Sequence, residues 1–265
     1  MNNFFKTTLT LAKIGDGYRY IWYRNFLQFR RTFFVSLFWV ILEPLMYLGA
    51  IGFGVGSYIN NIKGQSYIDF FFPGLLCSTA MMVPFFEGTY TNFTKLTFQK
   101  IYQHILLTRI TPQEIVFGEM LWATSKGYFG VLGLSLIALF LGLIQDWHFI
   151  LILIVLLITC WLFSCLAMLI TSVAKNYDSF IYATSGFIIP MSLISGLYFP
   201  IEQQPLLLQI IAYILPLSHS IDLCRAILRH DFMDYRLYLH ISYLLFMSYA
   251  LYNLSSYKIT KKLIR

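Results

Sequence analysis

The residues able to do chemistry in this chain are few, and most stand in apolar surroundings. Glu43, Glu87, Glu119 and Lys126 interrupt or border hydrophobic stretches. Charges in lipid are costly, so they face a bundle interior, where they pair or line a path. Glu43 lies 12 residues beyond Arg31, about 18 Å along a helix and near mid-bilayer. Pro44 follows it and frees a carbonyl, a place for a kink. Glu87, Glu114, Glu119 and Lys126 cluster near one end of two consecutive stretches. A Glu–Lys pair among them would fix the register of two spans or line a substrate path. His219 and Asp222 stand at i, i+3, but no third ligand accompanies them, which suits helix-end hydrogen bonding better than metal or hydrolytic chemistry. Neither G-x-x-x-x-G-K-[ST] nor H-E-x-x-H occurs, so the chain carries no P-loop ATP site and no zincin motif.

The elements that must hold these groups follow from composition. The 265 residues are 58% hydrophobic and 12% charged, with mean hydropathy +0.67 and net charge +7. Half the usual share of charge excludes a disordered chain and speaks against a soluble enzyme. Seven uncharged runs of 17 to 28 residues lie between 44 and 257, each near the length of a membrane-spanning helix. No secretory signal precedes them, so the first span is expected to direct insertion.

Basic residues sort the runs. With six spans, 14 of the 19 Lys and Arg fall on one side, the pattern of cytoplasmic loops. They include Lys6, Lys13, Arg19, Arg24, Arg30 and Arg31 in the first arm, Lys95, Lys100 and Arg109 after the second span, and four in the tail. A seventh span at 203–221 would put the basic tail outside, and Pro216 breaks that run. Residues 201–230 therefore read as two short helices that dip into the outer leaflet and return, which is allowed where protein covers the irregular backbone. The fold class is an all-α polytopic membrane protein with six transmembrane helices near 32–57, 67–92, 116–143, 148–173, 178–199 and 236–256. Residues 1–265 form one domain, with an arm at 1–31, the bundle at 32–256 and a tail at 257–265. No basic face on a soluble domain is available, so no nucleic-acid partner is expected. Cys77, Cys160 and Cys165 lie in spans and Cys224 alone on the outer side, so no disulfide framework is expected.

Three segments bear on mechanism. In the arm, Tyr18, Ile21, Trp22, Phe26 and Phe29 fall at helical spacing, with Arg19, Arg24, Gln28, Arg30 and Arg31 largely elsewhere around the helix. This is an amphipathic helix lying along the membrane surface. In the loop, Phe98, Ile101, Tyr102, Ile105 and Leu106 follow i, i+3, i+4, i+7, i+8, one apolar helical face, with Lys100, Gln103 and His104 opposite. Thr111, Pro112 and Glu114 then make an N-cap, a first-turn proline and a capping box that start the third span. Gly52 and Gly56 form a GxxxG suited to close helix contact.

The motifs Phe72-Pro73-Gly74-Leu75-Leu76, Gly118-Glu119-Met120-Leu121-Trp122-Ala123, Ser195-Gly196-Leu197-Tyr198-Phe199-Pro200-Ile201 and Leu215-Pro216-Leu217-Ser218-His219, followed by Arg225, resemble in this order the membrane subunits of type-2 ABC exporters. The nearest likeness is the NodJ-like branch, and it covers essentially the whole chain. The resemblance implies a half-transporter of the bacterial inner membrane with both termini cytoplasmic. It implies a second copy of the chain, two copies of a NodI-like ATPase that carry ATP and Mg²⁺, and an amphipathic cargo such as a lipid-linked or lipo-oligosaccharide. No cofactor is expected on this chain itself. By the family's pattern 98–108 is the coupling helix, with Phe98, Lys100, Ile101, Tyr102, His104, Ile105, Thr108 and Arg109 as its contact residues; Arg109 stands where a proline or small polar residue is more usual. Arg19, Trp22, Arg24 and Phe26 belong to the interface helix. Gly196, Phe199, Pro200, Pro216, His219, Asp222 and Arg225 belong to the outer re-entrant element. Two other classes remain open. One is a membrane-embedded lipid- or glycan-modifying enzyme using His219 and Asp222. The other is a proton-coupled secondary transporter using Glu43 or Glu87.

Overall fold

A computed structural model describes residues 15–59, 62, 64–231 and 235–264. Lys6, Lys13, Lys63 and Arg265 lie outside the described residues, as does the first part of the arm. The described residues are helical apart from short connections and an isolated bridge between Ile62 and Gln65. In hydrocarbon this is forced, because every backbone amide must be satisfied within its own segment.

Helix α1 (Gly17–Arg31) leads into α2 (Phe33–Tyr47), which widens into a π-helical stretch at Leu48–Gly54 and a 3₁₀ turn at Val55–Tyr58. Pro44 stays within α2, and the change of winding begins four residues beyond it, at Leu48. Helix α3 (Tyr67–Phe86) starts on Ser66, whose hydroxyl accepts from the Asp69 amide, and continues through π turns at Glu87–Thr91 and Thr94–Phe98. A short α4 (Ile101–Ile105) precedes α5 (Pro112–Phe140) and α6 (Phe149–Val173). Next come α7 (Asp178–Ala183), a π turn, and α8 (Ile189–Ile194). Helices α9 (Leu206–Ile214) and α10 (Pro216–Leu228) bend by 87° at Leu215. The last helix, α11, is Arg236–Ile264.

Four of these helices are long and apolar enough to cross a membrane, at Phe33–Tyr58, Tyr67–Phe98, Pro112–Phe140 and Phe149–Val173, or five if the bent pair is one span. Six spans are expected from the sequence, and two of the expected segments do not qualify among the described residues. The segment expected at 178–199 is a 17-residue apolar helix, Asp178–Ile194, wound through a π turn. The segment expected at 236–256 runs on to Ile264 and is tempered by Tyr, His and Asn. The third span begins at Pro112, not 116, because the capping box forms there: the Thr111 amide donates to Glu114 Oε2 at 2.7 Å, and the Glu114 amide to Thr111 Oγ1 at 3.4 Å.

Helix α3 sits at the centre, 72% buried along its most apolar stretch, whereas α2 is 12% buried. The main core joins α3, α5, α6 and α10 through Phe71, Leu76, Met81, Leu134, Phe163 and Ile221. Hydroxyls tie the same helices across apolar space, as expected in lipid. Thr159 donates to Ser220 at 2.9 Å, Thr124 to Ser164 at 3.0 Å, and Thr171 to the Gly88 carbonyl at 3.0 Å. Gly52 and Gly56 are the close contact the GxxxG spacing calls for; they lie against Phe71 and Tyr67 of α3.

Helix α1 docks on α5. Its buried residues Ile21, Asn25 and Phe29 recur every fourth position and face α5. At the crossing, a Cβ on Gly118 would stand 2.7 Å from Ile21 Cβ and 2.9 Å from the Tyr18 carbonyl, so only glycine admits this approach. Gly118→Val is expected to lower stability by about 1–3 kcal/mol, read as a lower midpoint of thermal unfolding in detergent. Gly186→Val, with open space around its Cα, is expected to shift it by less than about 0.5 kcal/mol.

Candidate functional site

At the end of the bundle carrying α1 and α4, the charges expected to pair do so, with different partners. Lys126 Nζ donates to Glu87 Oε2 at 2.7 Å, and Trp122 Nε1 donates to Glu87 Oε1 at 2.9 Å. Glu119 is fully buried. It accepts from Arg24 at 2.7 Å, from Asn25 Nδ2 at 2.8 Å and from Lys95 Nζ at 2.7 Å. Glu114 caps α5 and also accepts from the Gly17 amide at 3.0 Å. Three elements that are remote in sequence meet here: α1, the π-wound end of α3, and the first turns of α5.

Two assignments change. Arg24 is half-buried and turns inward from the basic face to reach Glu119 alongside Asn25. Lys95 is not a loop charge, since it is 3% exposed and shared between Glu119 and Asn25. Sequence reasoning missed Asn25 and Lys95 as members of this cluster. One signal could have found Lys95: it stands eight residues after Glu87, on the same face of a continuing helix. Arg19 stays outside and pairs with Asp16 at 3.4 Å. Trp22 donates to Ser125 at 3.0 Å and stacks on Phe26.

The helix expected over 98–108 is shorter. Lys100 adopts a left-handed conformation, φ +51°, and ends the preceding segment. Phe98 therefore belongs to the end of α3, where it stacks on Tyr177 at 5.5 Å. What remains is α4, whose Tyr102 is buried against Ile21 of α1 and Ile115 of α5. Ile101 and Ile105 pack beside it. Lys100, Gln103, His104, Thr108 and Arg109 are exposed, and Leu107 is 86% exposed. The expected polar and apolar faces are therefore present on one and a half turns.

Farther along the bundle, α2, α3 and α8 enclose a groove of about 330 Å³. Trp39, Glu43, Tyr47, Phe86 and Tyr198 supply rings and one carboxylate, while Ser78, Thr79, Thr184 and Ser192 supply hydroxyls. Of the four intramembrane polar residues expected to pair or line a path, Glu43 alone lines this groove. Glu87 and Lys126 line a smaller polar pocket of about 190 Å³ beside the ion pairs.

At the opposite end, the glycine- and proline-rich motifs interlock. Gly196 takes φ +81°, and its carbonyl accepts from Arg225 at 2.8 Å. Arg225 also donates to the Phe70 carbonyl at 3.0 Å, with its guanidinium 3.7 Å from the Phe70 ring centroid. Gly74 lies under Leu197. Pro216 opens α10, Pro200 precedes a short 3₁₀ turn, and Phe199 is 58% exposed. His219 does not join Asp222. Its Nδ1 lies 2.6 Å from Nδ1 of His240 on α11, and its Nε2 3.0 Å from the Tyr213 carbonyl. Cys77 and Cys224, assigned to a span and the outer side, stand with their sulfurs 3.5 Å apart. Asp222 and Arg225 line an outward cavity of about 550 Å³.

Glu119 makes a direct test of the buried cluster. Glu119→Gln leaves Arg24 and Lys95 facing each other without a counter-charge and is expected to cost about 3 kcal/mol or more. Adding Lys95→Met should recover at least about 1.5 kcal/mol of it, a coupling that two independent sites would not show. Thermal unfolding midpoints of the two single variants and the double variant check this.

The chain matches the model of the ABC-2 type transporter family over residues 17–228. It is 35% identical over 216 residues to Nodulation protein J of Rhizobium leguminosarum bv. viciae, covering 82% of this chain and 83% of the relative. Nodulation protein J of Rhizobium meliloti (strain 1021) is 34% identical, over 81% and 82%. The inner membrane transport permease YadH of Escherichia coli K12 is 22% identical, over 76% and 78%. No solved structure matches the chain. The match spans α1 through α10 and so takes in the buried cluster, the groove and the bent pair: the chain belongs to the ABC-2 type transporter family and is a multi-pass membrane permease of the NodJ-like branch.

Proposed function

We propose that this chain is half of an ATP-driven exporter. Two copies form the pathway in the bacterial inner membrane, both termini face the cytoplasm, and each copy takes a separate NodI-like ATPase that holds ATP and Mg²⁺. The observation that carries the reading is the mechanical continuity at the α4 end. An exposed face of Lys100, Gln103, His104, Leu107, Thr108 and Arg109 is backed by Tyr102, which is wedged between α1 and α5. Behind it, the Glu119 cluster ties α1 to α3 and α5. A push on α4 therefore moves α1, α3 and α5 as one body. Directional transport needs nucleotide to bias two arrangements of such a body differently.

Exposure supports a second copy. Phe34, Val35, Phe38, Trp39, Met46 and Phe53 leave α2 and its extension with the least buried span in the bundle. The groove opens beside it, so in a pair of chains it would border the shared path. Rings with interspersed hydroxyls suit an amphipathic saccharide, because aromatic faces stack on sugars while the hydroxyls hydrogen-bond to them. The printed name of one relative, inner membrane transport permease, supports a transport role. The enzyme reading loses support because His219 is engaged by His240 and the Tyr213 carbonyl. A proton-coupled mechanism remains testable through Glu43.

Copurification from native membranes is the first measurement, and a stoichiometric P-loop protein is the expected companion. In the assembled complex, Lys100→Glu, or a glycine inserted before Ile101, is expected to keep ATP hydrolysis within about twofold while transport falls about tenfold or more. Unchanged transport in both would refute the assigned coupling segment. Trp39→Ala and Tyr47→Ala are expected to reduce transport about fivefold, roughly one stacking contact each, with the ATPase still bound. Glu43→Gln should leave transport dependent on ATP and insensitive to a collapsed proton gradient.

A further inference from the structure

At the end opposite α4, three side chains from separate parts of the chain converge: Asp146 from the α5–α6 connection, His148 at the start of α6, and His230 just beyond α10. Their ligand atoms all lie within 4.8 Å of one another. His230 Nε2 stands 2.9 Å from Asp146 Oδ2, and the His148 and His230 rings are 4.7 Å apart between centroids. Trp147 packs on His148 at 4.1 Å and limits its motion.

The backbone at His230 adds an independent observation. After α10 the His230 amide donates to Ile227 O and the Asp231 amide to Ala226 O. This is a Schellman turn, and its left-handed position is one that glycine fills best. Here it holds a histidine at φ +58°, a conformation that crowds a Cβ and that glycine adopts freely. The chain thus places an imidazole beside Asp146 at the position where stability alone favours glycine.

We propose that Asp146, His148 and His230 bind a divalent ion of the zinc class. Two imidazoles and one carboxylate are the borderline N/O donor set that selects Zn²⁺ and its transition-metal neighbours over Ca²⁺ or Mg²⁺. Tetrahedral zinc with bonds near 2 Å keeps its donors about 3.3 Å apart, so side-chain rotations that draw the atoms together by up to about 1.5 Å close the set. Three protein ligands leave a fourth position for water. Asp146 also lines the outward cavity of about 550 Å³, which gives that position access to solvent. The bound ion would clamp the α5–α6 connection to the end of α10. The proposal does not rest on the exporter reading or on which face is outward.

The test uses the full chain, purified in detergent through a tag without histidine and stripped with a chelator. Zinc alone is the probe, measured by competition with a chromophoric chelator and by thermal unfolding. Wild type is expected to take one tight equivalent and to gain about 3 °C or more in its unfolding midpoint, since a ligand that binds only the folded state stabilises it. His148→Ala and Asp146→Asn should weaken zinc about tenfold or more. His230→Gly is the decisive variant: it should unfold at the same or a higher temperature without metal, because glycine suits the turn, yet lose the zinc response. His219→Ala should keep the equivalent. No tight equivalent in wild type, retention in His230→Gly, loss in His219→Ala instead, or an equal midpoint gain from Ca²⁺ would each overturn the assignment.

Discussion

A single buried carboxylate organises the end of the molecule where force would enter. Glu119 has no contact with water, and three donors from two other helices converge on it. In a low-dielectric interior such a group is tolerable only when its charge and lone pairs are answered. Neither α1 nor the end of α3 can leave α5 without stranding it. The second pair, Glu87 with Lys126, sits about two turns further along and again joins α3 to α5. These contacts hold three helices in one geometry, and the apolar packing around them could accommodate several.

That constraint explains why so short a helix as α4 is ordered at all. Five residues would not hold a helix alone in water. Tyr102 does the holding, buried where Ile21 and Ile115 already meet. The rest of α4 is therefore free to be polar and exposed without loss of position. The opposite end is built on a different device. There Arg225 donates to the Phe70 and Gly196 carbonyls and so joins the Gly196 turn to the start of α3, which lets irregular backbone lie against the bundle.

Much of this was legible in the residues. The Thr111–Glu114 capping box, the side of Gln103 and His104, the bent pair around Pro216, and a Glu–Lys pair in the second and third spans all follow from local rules that tertiary contacts did not override. The failures share one cause. Lys95 looked like loop charge because the π winding that carries α3 past Glu87 has no signature in hydropathy. The helix over 98–108 kept its periodicity through Lys100, yet periodicity carries no trace of one left-handed residue. Arg24 was placed outside because an amphipathic pattern treats every arginine as solvated. Spacing sets His219 beside Asp222 and leaves Cys224 alone, while their partners His240 and Cys77 lie 21 and 147 positions away. Contacts of that range are set by the fold and not by spacing.

The last helix has a consequence for motion. At 29 residues, α11 is a rod about 43 Å long. Its final turns hold Lys258, Lys261 and Lys262, and Lys262 reaches the carbonyls of Thr171, Ser172 and Ala174 at the end of α6. One end is thereby fastened to α6, and His240 ties the other to the bent pair. A rod fastened at both ends passes any tilt to α6 and α10 together, a linkage separate from anything that reaches the bundle through α4.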